Sequence, residues 1–226
     1  MYKYETHLHT YPVSRCARSS PREQLEFYKS LGYEGVFITN HFVGGNINID
    51  HTASWEEKIN FFFSDFEEAK KYEKEVGISV FAGAEWGYKG SDFLVYGLDK
   101  EWYLSHPELP DMKFSERLQL AIESGALIIH AHPFREASYI DHIRLFPRHV
   151  HGAEHNASNS EFCNARAKEY IKNYGLIPFA GSDCHSVSKK KLAGMQSRSK
   201  IKSEKDFVEK TLARKLKPFT LSLEEE

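Results

Sequence analysis

Histidines and carboxylates recur along the chain in positions where they could hold divalent cations: His7-x-His9, His41, Glu85, His132 and Asp183-x-His185. Imidazole nitrogens and carboxylate oxygens are the ligands that borderline and hard divalent ions take. In a strand, residues i and i+2 project on the same face, so His7 and His9 can address one ion together. A lone carboxylate buried after Ala82-Gly83-Ala84 is costly without a partner. A basic side chain could supply that partner. The alternative is that Glu85 bridges two cations and offsets their mutual repulsion. The single motifs carry little by themselves. With 12 histidines in 226 residues, roughly one HxH arises by chance, and His130-x-His132 and His149-x-His151 are two more. The last pair precedes a strand rather than following one and reads as surface or packing. Of His130 and His132, the second is favoured as a ligand.

What gives these residues weight is the elements that position them. The chain repeats a short apolar strand, a loop and an amphipathic helix. Tyr2, Tyr4 and Thr6 alternate with Lys3 and Glu5 in a first strand that runs into His7. Ser20-Pro21 starts a helix that Gly32 stops, and Gly35–Thr39 leads to Asn40-His41. A long helix from about Trp55 to Glu75 precedes a strand over 78–84, which ends at Glu85. Phe93–Tyr96, Ala126–Ile129, Val150–Glu154 and Ile177–Ala180 are further strands, with helices near 115–125 and over 161–174. A final helix over 204–216 and a strand over 219–223 follow. Strands alternating with helices predict an α/β fold with mostly parallel strands, and six or seven such units suit a closed or nearly closed barrel. His7, His9, His41, Glu85, His132 and Asp183 all fall at or just past a predicted C-terminal strand end. In barrels of this kind that edge forms one mouth and carries the chemistry.

Composition narrows the function classes. The 30 basic and 32 acidic residues leave a formal net charge of −2, which does not call for a membrane surface or a long nucleic acid as partner. No apolar run approaches the roughly 18 residues of a membrane span, and the first residues lack the apolar core of a secretory signal. Cys16, Cys163 and Cys184 are odd in number and lack CxxC spacing, which fits a reduced, cytoplasmic chain. Cys184 would point away from its ligand-type neighbours, into the core. No linker-like segment divides residues 1–226, so one domain is expected. The Gly/Asn-rich stretch from Phe42 to Ser54 is expected to form a rim or lid, and Ser186–Lys191 a solvated loop.

At the level of motifs the chain resembles the PHP family, the polymerase and histidinol phosphatase domain, across nearly its whole length. The segments are His7-Leu8-His9-Thr10, Ile38-Thr39-Asn40-His41, Gly83-Ala84-Glu85, Ala131-His132-Pro133-Phe134-Arg135 and Gly181-Ser182-Asp183-Cys184-His185, in order. The resemblance implies a distorted (β/α)7 TIM-like barrel with two to three divalent ions (zinc, manganese or iron) at its mouth. It implies that His7, His9, Glu85 and Asp183 hold one cation. Glu85 would bridge to a second, held also by His132 and by Asp92, where family members often have histidine. A carboxylate at that place favours harder ions. His41 and His185 match a third position. The family usually adds an Asp or His shortly after the first HxH. Here Cys16 is the good ligand type in that stretch, and Asn40 stands where an aspartate is common.

The implied activity is hydrolysis of a phosphate ester on a small metabolite or nucleotide, by a hydroxide bridging two cations and attacking phosphorus in line. His41 or His185 would help neutralise the leaving alkoxide, directly or through a third cation. Arg135 is the first candidate for binding phosphate oxygens, with Arg15 and Arg18 on the loop after the first strand as further candidates. Two other readings remain open. Amidohydrolase-type C–N hydrolases also open with HxH on a first barrel strand, and a metal-binding module with a degraded cluster would fit the departures at Asn40, Asp92 and residues 11–16.

Overall fold

The computed structural model describes residues 1–223. Among them β1 (Tyr2–Leu8), β2 (Gly35–Ile38), β3 (Ser79–Tyr88), β4 (Ser91–Tyr96), β5 (Leu127–Ala131), β6 (Gly152–Asn156), β7 (Ile177–Gly181), β8 (Lys191–Ser197) and β9 (Lys217–Ser222) form one sheet. Their order is β7-β6-β5-β4-β3-β2-β1-β8-β9. The two edges of the β1–β7 arc nearly meet. The Cys184 amide, just past β7, donates to the His7 carbonyl at 3.1 Å, and the His9 amide donates to the Cys184 carbonyl at 2.9 Å. The result is a nearly closed, distorted α/β barrel of seven strands with β8 and β9 added beside β1.

The helices begin where their sequences stop competing for the backbone. Ser20 and Ser54 each form a capping box, with Glu23 and Glu57, for α1 (Pro21–Ser30) and α2 (Trp55–Val76). Gly77 closes α2 in the left-handed conformation that glycine adopts without strain. Ser160 caps α5 (Glu161–Tyr174), and the short α3 (Lys100–Leu104) and α4 (Phe114–Glu123) flank the β4–β5 crossing. The interior below the mouth is filled by Tyr4, Phe37, Phe81, Tyr96, Ile129 and Phe179 from six strands. Phe207 of α6 (Glu204–Leu212) closes this cluster, 4.1 Å from the Phe37 ring and 5.1 Å from Tyr96, centroid to centroid. Burying one such ring contributes about 1.5–3 kcal/mol. The barrel is thus filled by aromatic and aliphatic side chains beneath its mouth.

Several expectations from the sequence need correction. The strands are less uniformly parallel than expected, since β4 runs antiparallel to both β3 and β5. This reversal matters: it brings the start of β4, and so Asp92, to the end of the barrel where β3 and β5 finish. Glu85 lies inside β3 rather than at its end, because the strand continues to Tyr88 as a hairpin with β4. The final helix stops at Leu212, not Leu216. Strand β8 was not expected; it pairs antiparallel with β1 and with β9. The alternation read in β1 also misses Glu5, which is fully buried rather than outward. Its Oε1 accepts from the amides of Thr6, His7 and Ser182 at 2.9, 2.8 and 3.0 Å, and Ser182 Oγ donates to its other oxygen. Glu5 therefore holds β1 to the chain after β7, directly under the histidines.

Candidate metal centre

Three groups of ligand atoms converge at the mouth, each with its atoms within 4.8 Å of one another: His7, Glu85 and His132; His7, His9 and Asp183; His9, His41 and His185. The first two groups are buried. Hydrogen bonds behind them decide which nitrogen faces inward. His7 Nδ1 donates to Glu154 Oε1 at 2.9 Å, since a carboxylate can only accept, and this leaves Nε2 for the centre. Ser14 Oγ donates to Asn40 Oδ1 at 2.8 Å and lies 3.1 Å from His9 Nδ1. With its one proton committed, the hydroxyl accepts from His9 Nδ1, and Nε2 of His9 also faces inward. The two inward nitrogens are 3.1 Å apart, with Asp183 Oδ1 at 3.6 Å from one and 3.4 Å from the other. Glu85 reaches all sides: Oε1 lies 3.0 Å from His7 Nε2 and 3.1 Å from His132 Nε2, while Oε2 lies 2.8 Å from His41 Nδ1 and 3.4 Å from His9 Nε2. Asp92 Oδ2 is 3.7 Å from His132 Nε2.

Such a convergence of acceptors is what a cation site offers, and the buried Glu85 Oε2 makes no hydrogen bond despite its close neighbours. The charge states fit the same account. Burial alone would push the His7 imidazole down, but Glu154, Glu85 and Asp183 hold it well above the usual histidine range. Burial would raise Glu85 and Asp183, yet the imidazoles around them hold both well below the usual carboxylate range. Burial and the neighbouring His185 and His41 push His9 well below its ordinary value. Asp92 is pushed up to about 6 by burial and by the Glu85 charge. The donor set of imidazoles and carboxylates suits divalent ions of borderline to hard character, and the residues fit such a group.

Backbone strain is concentrated at the same residues. His132 has φ 28°, Phe134 66° and Asp183 53°, a left-handed region in which side chains cost about 1–3 kcal/mol each. The His132 amide is held by Glu154 Oε2 at 2.9 Å. Behind Glu154, Gly181 leaves no room for a side chain: a Cβ there would press on Glu154 Oε1 and lie 2.5 Å from His7 Cβ.

The mouth is a cavity of about 600 Å³ lined by His41, Glu85, Asp92, His132, Asp183, His185, Arg135 and Cys16, with Gly44, Gly45 and Asn46 of the expected rim loop. His41 and His185 are partly exposed. Burial lowers the His41 imidazole but Glu85 outweighs it and lifts it to about 10. Burial would raise the Cys16 thiol, yet hydrogen bonding to His185 and His41 brings it down to about 6. Arg135 places NH2 2.6 Å from Asp183 Oδ2 and is steadied by Asn159 and Asn156. Arg15 is brought elsewhere, into an adjacent groove with Ile47 and Lys58, its guanidinium donating to the Ile47 carbonyl. Arg18 is exposed and does not line the mouth cavity. His130 stacks on Phe93 within the core, where burial pushes it down to about 3. His151 Nδ1 accepts from the Ile128 amide, so it serves packing. Cys184 is buried beside Leu8 and Tyr28.

Two residues of the centre were not singled out in the sequence. Glu154 closes the strand expected over 150–154 and lies inside β6 in the structure, where only its partners mark it out. Asp65 lies within α2 and looks like one more helix-surface carboxylate. It is in fact buried, accepting from Thr10 Oγ1 at 2.7 Å, Asn40 Nδ2 at 3.0 Å and the Val13 amide at 3.2 Å. Asp65 thus stands one step behind Asn40 as the acceptor of its amide. Its signal in the sequence is faint: a carboxylate three residues after Phe62 on the apolar stripe.

No curated protein matches the sequence. The family model described as PHP-associated matches residues 162–216. Among solved structures, 96% of the chain aligns with 64% of a two-domain protein from Bacteroides vulgatus containing a predicted PHP-like metal-dependent phosphoesterase, at TM-score 0.71 and 15% identity. The chain therefore spans less than two thirds of that protein. PsfC from Pseudomonas syringae is similar at TM-score 0.59 and 14% identity, over 92% of this chain and 88% of that one. An amidohydrolase from Chromobacterium violaceum, with bound sulfate and no metal, is similar at TM-score 0.52 and 12% identity, over 80% and 87%. At these identities each likeness speaks to the fold. The family match is confined to residues 162–216, and the solved structures share the fold of the chain.

Proposed function

We propose that this protein is a metal-dependent phosphoesterase that hydrolyses a small phosphorylated metabolite or nucleotide. The observation that carries the reading is Glu85: one buried carboxylate with an oxygen on each side, facing His7 and His132 through Oε1 and His41 and His9 through Oε2. His7, His9, Asp183 and Glu85 would hold one divalent ion, Glu85, His132 and Asp92 a second, and His41 with His185 a third. Bound there, the ions would supply an activated water and neutralise charge on the phosphoryl oxygens. The chain's own groups do the rest. Arg135, on the mouth wall, is placed to give its planar fork to two phosphate oxygens, exchanging part of its pairing with Asp183. His41 and His185 stand at the open side, where a leaving alkoxide would need a proton or a positive charge. The roughly 600 Å³ mouth suits a small ester. Arg15 and Arg18 would act on a longer substrate, reaching from the rim. Three unpaired thiols suit a cytoplasmic setting, and no helix among the described residues is long and apolar enough to cross a membrane.

The test is Glu85→Gln, with bound metal and p-nitrophenyl phosphate hydrolysis measured together. The expected result is loss of metal from more than one position and loss of activity of at least about 10²-fold, the scale of one electrostatic stabiliser. Unchanged metal content and unchanged rate would overturn the bridging role. Hydrolysis of cyclic amides but not of phosphate esters would favour a C–N hydrolase. Stoichiometric metal with no activity over a broad ester panel would favour a binding module.

A further inference from the structure

Beside the mouth lies a second cavity, of about 680 Å³, that the proposed chemistry does not use. Gly44 and Gly45 line both cavities, so at that point the wall between them carries no side chain. Gly44 has φ 91°, and the space where a Cβ would stand is open. The floor of the second cavity is apolar, made by Val43, Ile47 and Ile49, which belong to the core cluster or pack against it. Its sides are cationic. Arg15 is set there by its backbone: its amide donates to the Asn46 carbonyl at 3.0 Å, and the Asn48 amide donates to the Val13 carbonyl at 2.8 Å. The Arg15 guanidinium donates to the Ile47 carbonyl at 3.3 Å. Lys58, in the first turn of α2, donates to the His51 carbonyl at 2.7 Å. A carbonyl accepts a hydrogen bond but neutralises no charge, and both heads keep further donors to give. The carboxylate of this cavity, Asp50, is already engaged by the Thr52 amide and hydroxyl at 2.8 and 2.7 Å, with His51 Nδ1 3.6 Å away.

We infer that this cavity is a second anion subsite of the same active site, so that the preferred substrate is a phosphate ester whose leaving group ends in a second anionic group, a carboxylate or a phosphate. This rests on the phosphoesterase reading above and deepens it. Two cations in one groove create a local positive field in a chain whose formal net charge is −2. With the reacting phosphate in the mouth, the leaving group would cross Gly44 and Gly45 with no side chain in its way. Its apolar stretch would lie on Val43, Ile47 and Ile49, and its far end would meet the guanidinium and the ammonium. The planar fork of Arg15 can pair with two oxygens of either anion, and Lys58 adds a point charge. Neither residue touches the reacting phosphorus, so neither is catalytic. A contact made equally in the ground state and the transition state is read in KM, with kcat unchanged.

Straight-chain alkyl phosphates of graded length, ending in a carboxylate, a phosphate or a hydroxyl, read the subsite on the metal-loaded full chain. At the best length an anionic end should lower KM about tenfold or more against the hydroxyl, with kcat unchanged. A gain for one anion alone identifies which of the two the subsite takes. Arg15→Gln and Lys58→Gln should each remove most of the gain, while the hydroxyl ester and p-nitrophenyl phosphate are hydrolysed as before. Equal KM values for the three ends, or variants that slow every ester alike, would overturn the subsite and leave the phosphoesterase reading standing. A measurement without turnover keeps the two readings apart. Inorganic phosphate, followed by phosphorus NMR, should be broadened by metal-free Arg135→Gln protein, which lacks the arginine of the mouth. Adding Arg15→Gln and Lys58→Gln should abolish that broadening. Broadening that is absent at the start, or that survives both changes, would overturn the subsite. Broadening lost as expected, with no ester hydrolysed, would overturn the phosphoesterase reading alone.

Discussion

The inner and outer halves of the mouth are built differently. On the inner side His7 and His9 are fully buried, and each has its second nitrogen fixed by a partner that sets the tautomer. On the outer side His41 and His185 are 16% and 30% exposed, and they stand on loop segments with Cys16 beside them. Rigid strands with a supporting layer of hydrogen bonds hold a donor set in place before any ion arrives. Among the described residues the loop side lacks such a layer behind its partly exposed imidazoles. The lesson is that the strand side is organised in advance and the loop side is left freer to adjust.

The largest expected effect breaks the inner half outright. Gly181→Ala would drive a methyl group against His7 and Glu154, both immobilised in the barrel wall. Overpacking of this kind costs about 1–3 kcal/mol and more where nothing can yield. Chemical denaturation should show a stability loss at the upper end of that range, together with loss of the bound metal. Wild-type stability would mean that the close approach of β7 to His7 is softer than the geometry indicates. Next comes Glu154→Gln, which keeps the shape but no longer fixes the His7 tautomer. Inner-site metal affinity, followed by competition with a chromogenic chelator, should fall about 10–100-fold. The outer position, having no bond to Glu154, should be unaffected.

This asymmetry also explains what was legible in the sequence. The barrel was readable because its strands and caps are local patterns: Ser20-Pro21 and Ser54 start helices, and the ends of β1, β2, β5 and β7 carry the ligand types. Glu85 and Asp92 were singled out as residues, but the hairpin that joins them was not, because antiparallel pairing of β3 and β4 depends on the contacts between two strands rather than on either one. Glu154, Glu5 and Asp65 were missed for one shared reason. A buried carboxylate is indistinguishable from a surface one until its partners, 147 residues away for Glu154 and His7, are brought alongside. Arg15 and Arg18 show the converse, since nearness in sequence to the first HxH did not bring them to the mouth.

A smaller effect sharpens the comparison through pH. In the metal-free protein Glu85 lifts His41 to about 10, against 6.5 when unfolded. Its contribution to folding stability is therefore fully present below pH 6.5 and is lost as pH rises through about 10. A cation at that position must displace the same proton, so its affinity should rise about tenfold per pH unit over that window for each proton released. Isothermal calorimetry in buffers of different ionisation enthalpy would count the protons. A buffer-independent heat would mean that His41 takes no part in binding.

The smallest effect concerns the layer behind His9, where Asn40 and Asp65 share one network. Asn40 Nδ2 donates to Thr10 Oγ1 and to Asp65 Oδ2, while its Oδ1 accepts from the Thr10 amide and Ser14 Oγ. All the polar groups of the amide are satisfied, and the one negative charge sits on Asp65. Asn40→Asp would set two buried carboxylates against each other. One of them would have to take up a proton, so the variant should lose about 1 kcal/mol of stability at neutral pH and recover it in acid. The charge swap, Asn40→Asp with Asp65→Asn, should recover it at neutral pH as well, because a donor again faces a carboxylate. If Asn40→Asp alone is as stable as the wild type and the swap adds nothing, Asp65 does not carry that charge. The supporting layer would then be as adaptable as the outer rim, and the contrast between the two halves would be confined to the ligands themselves.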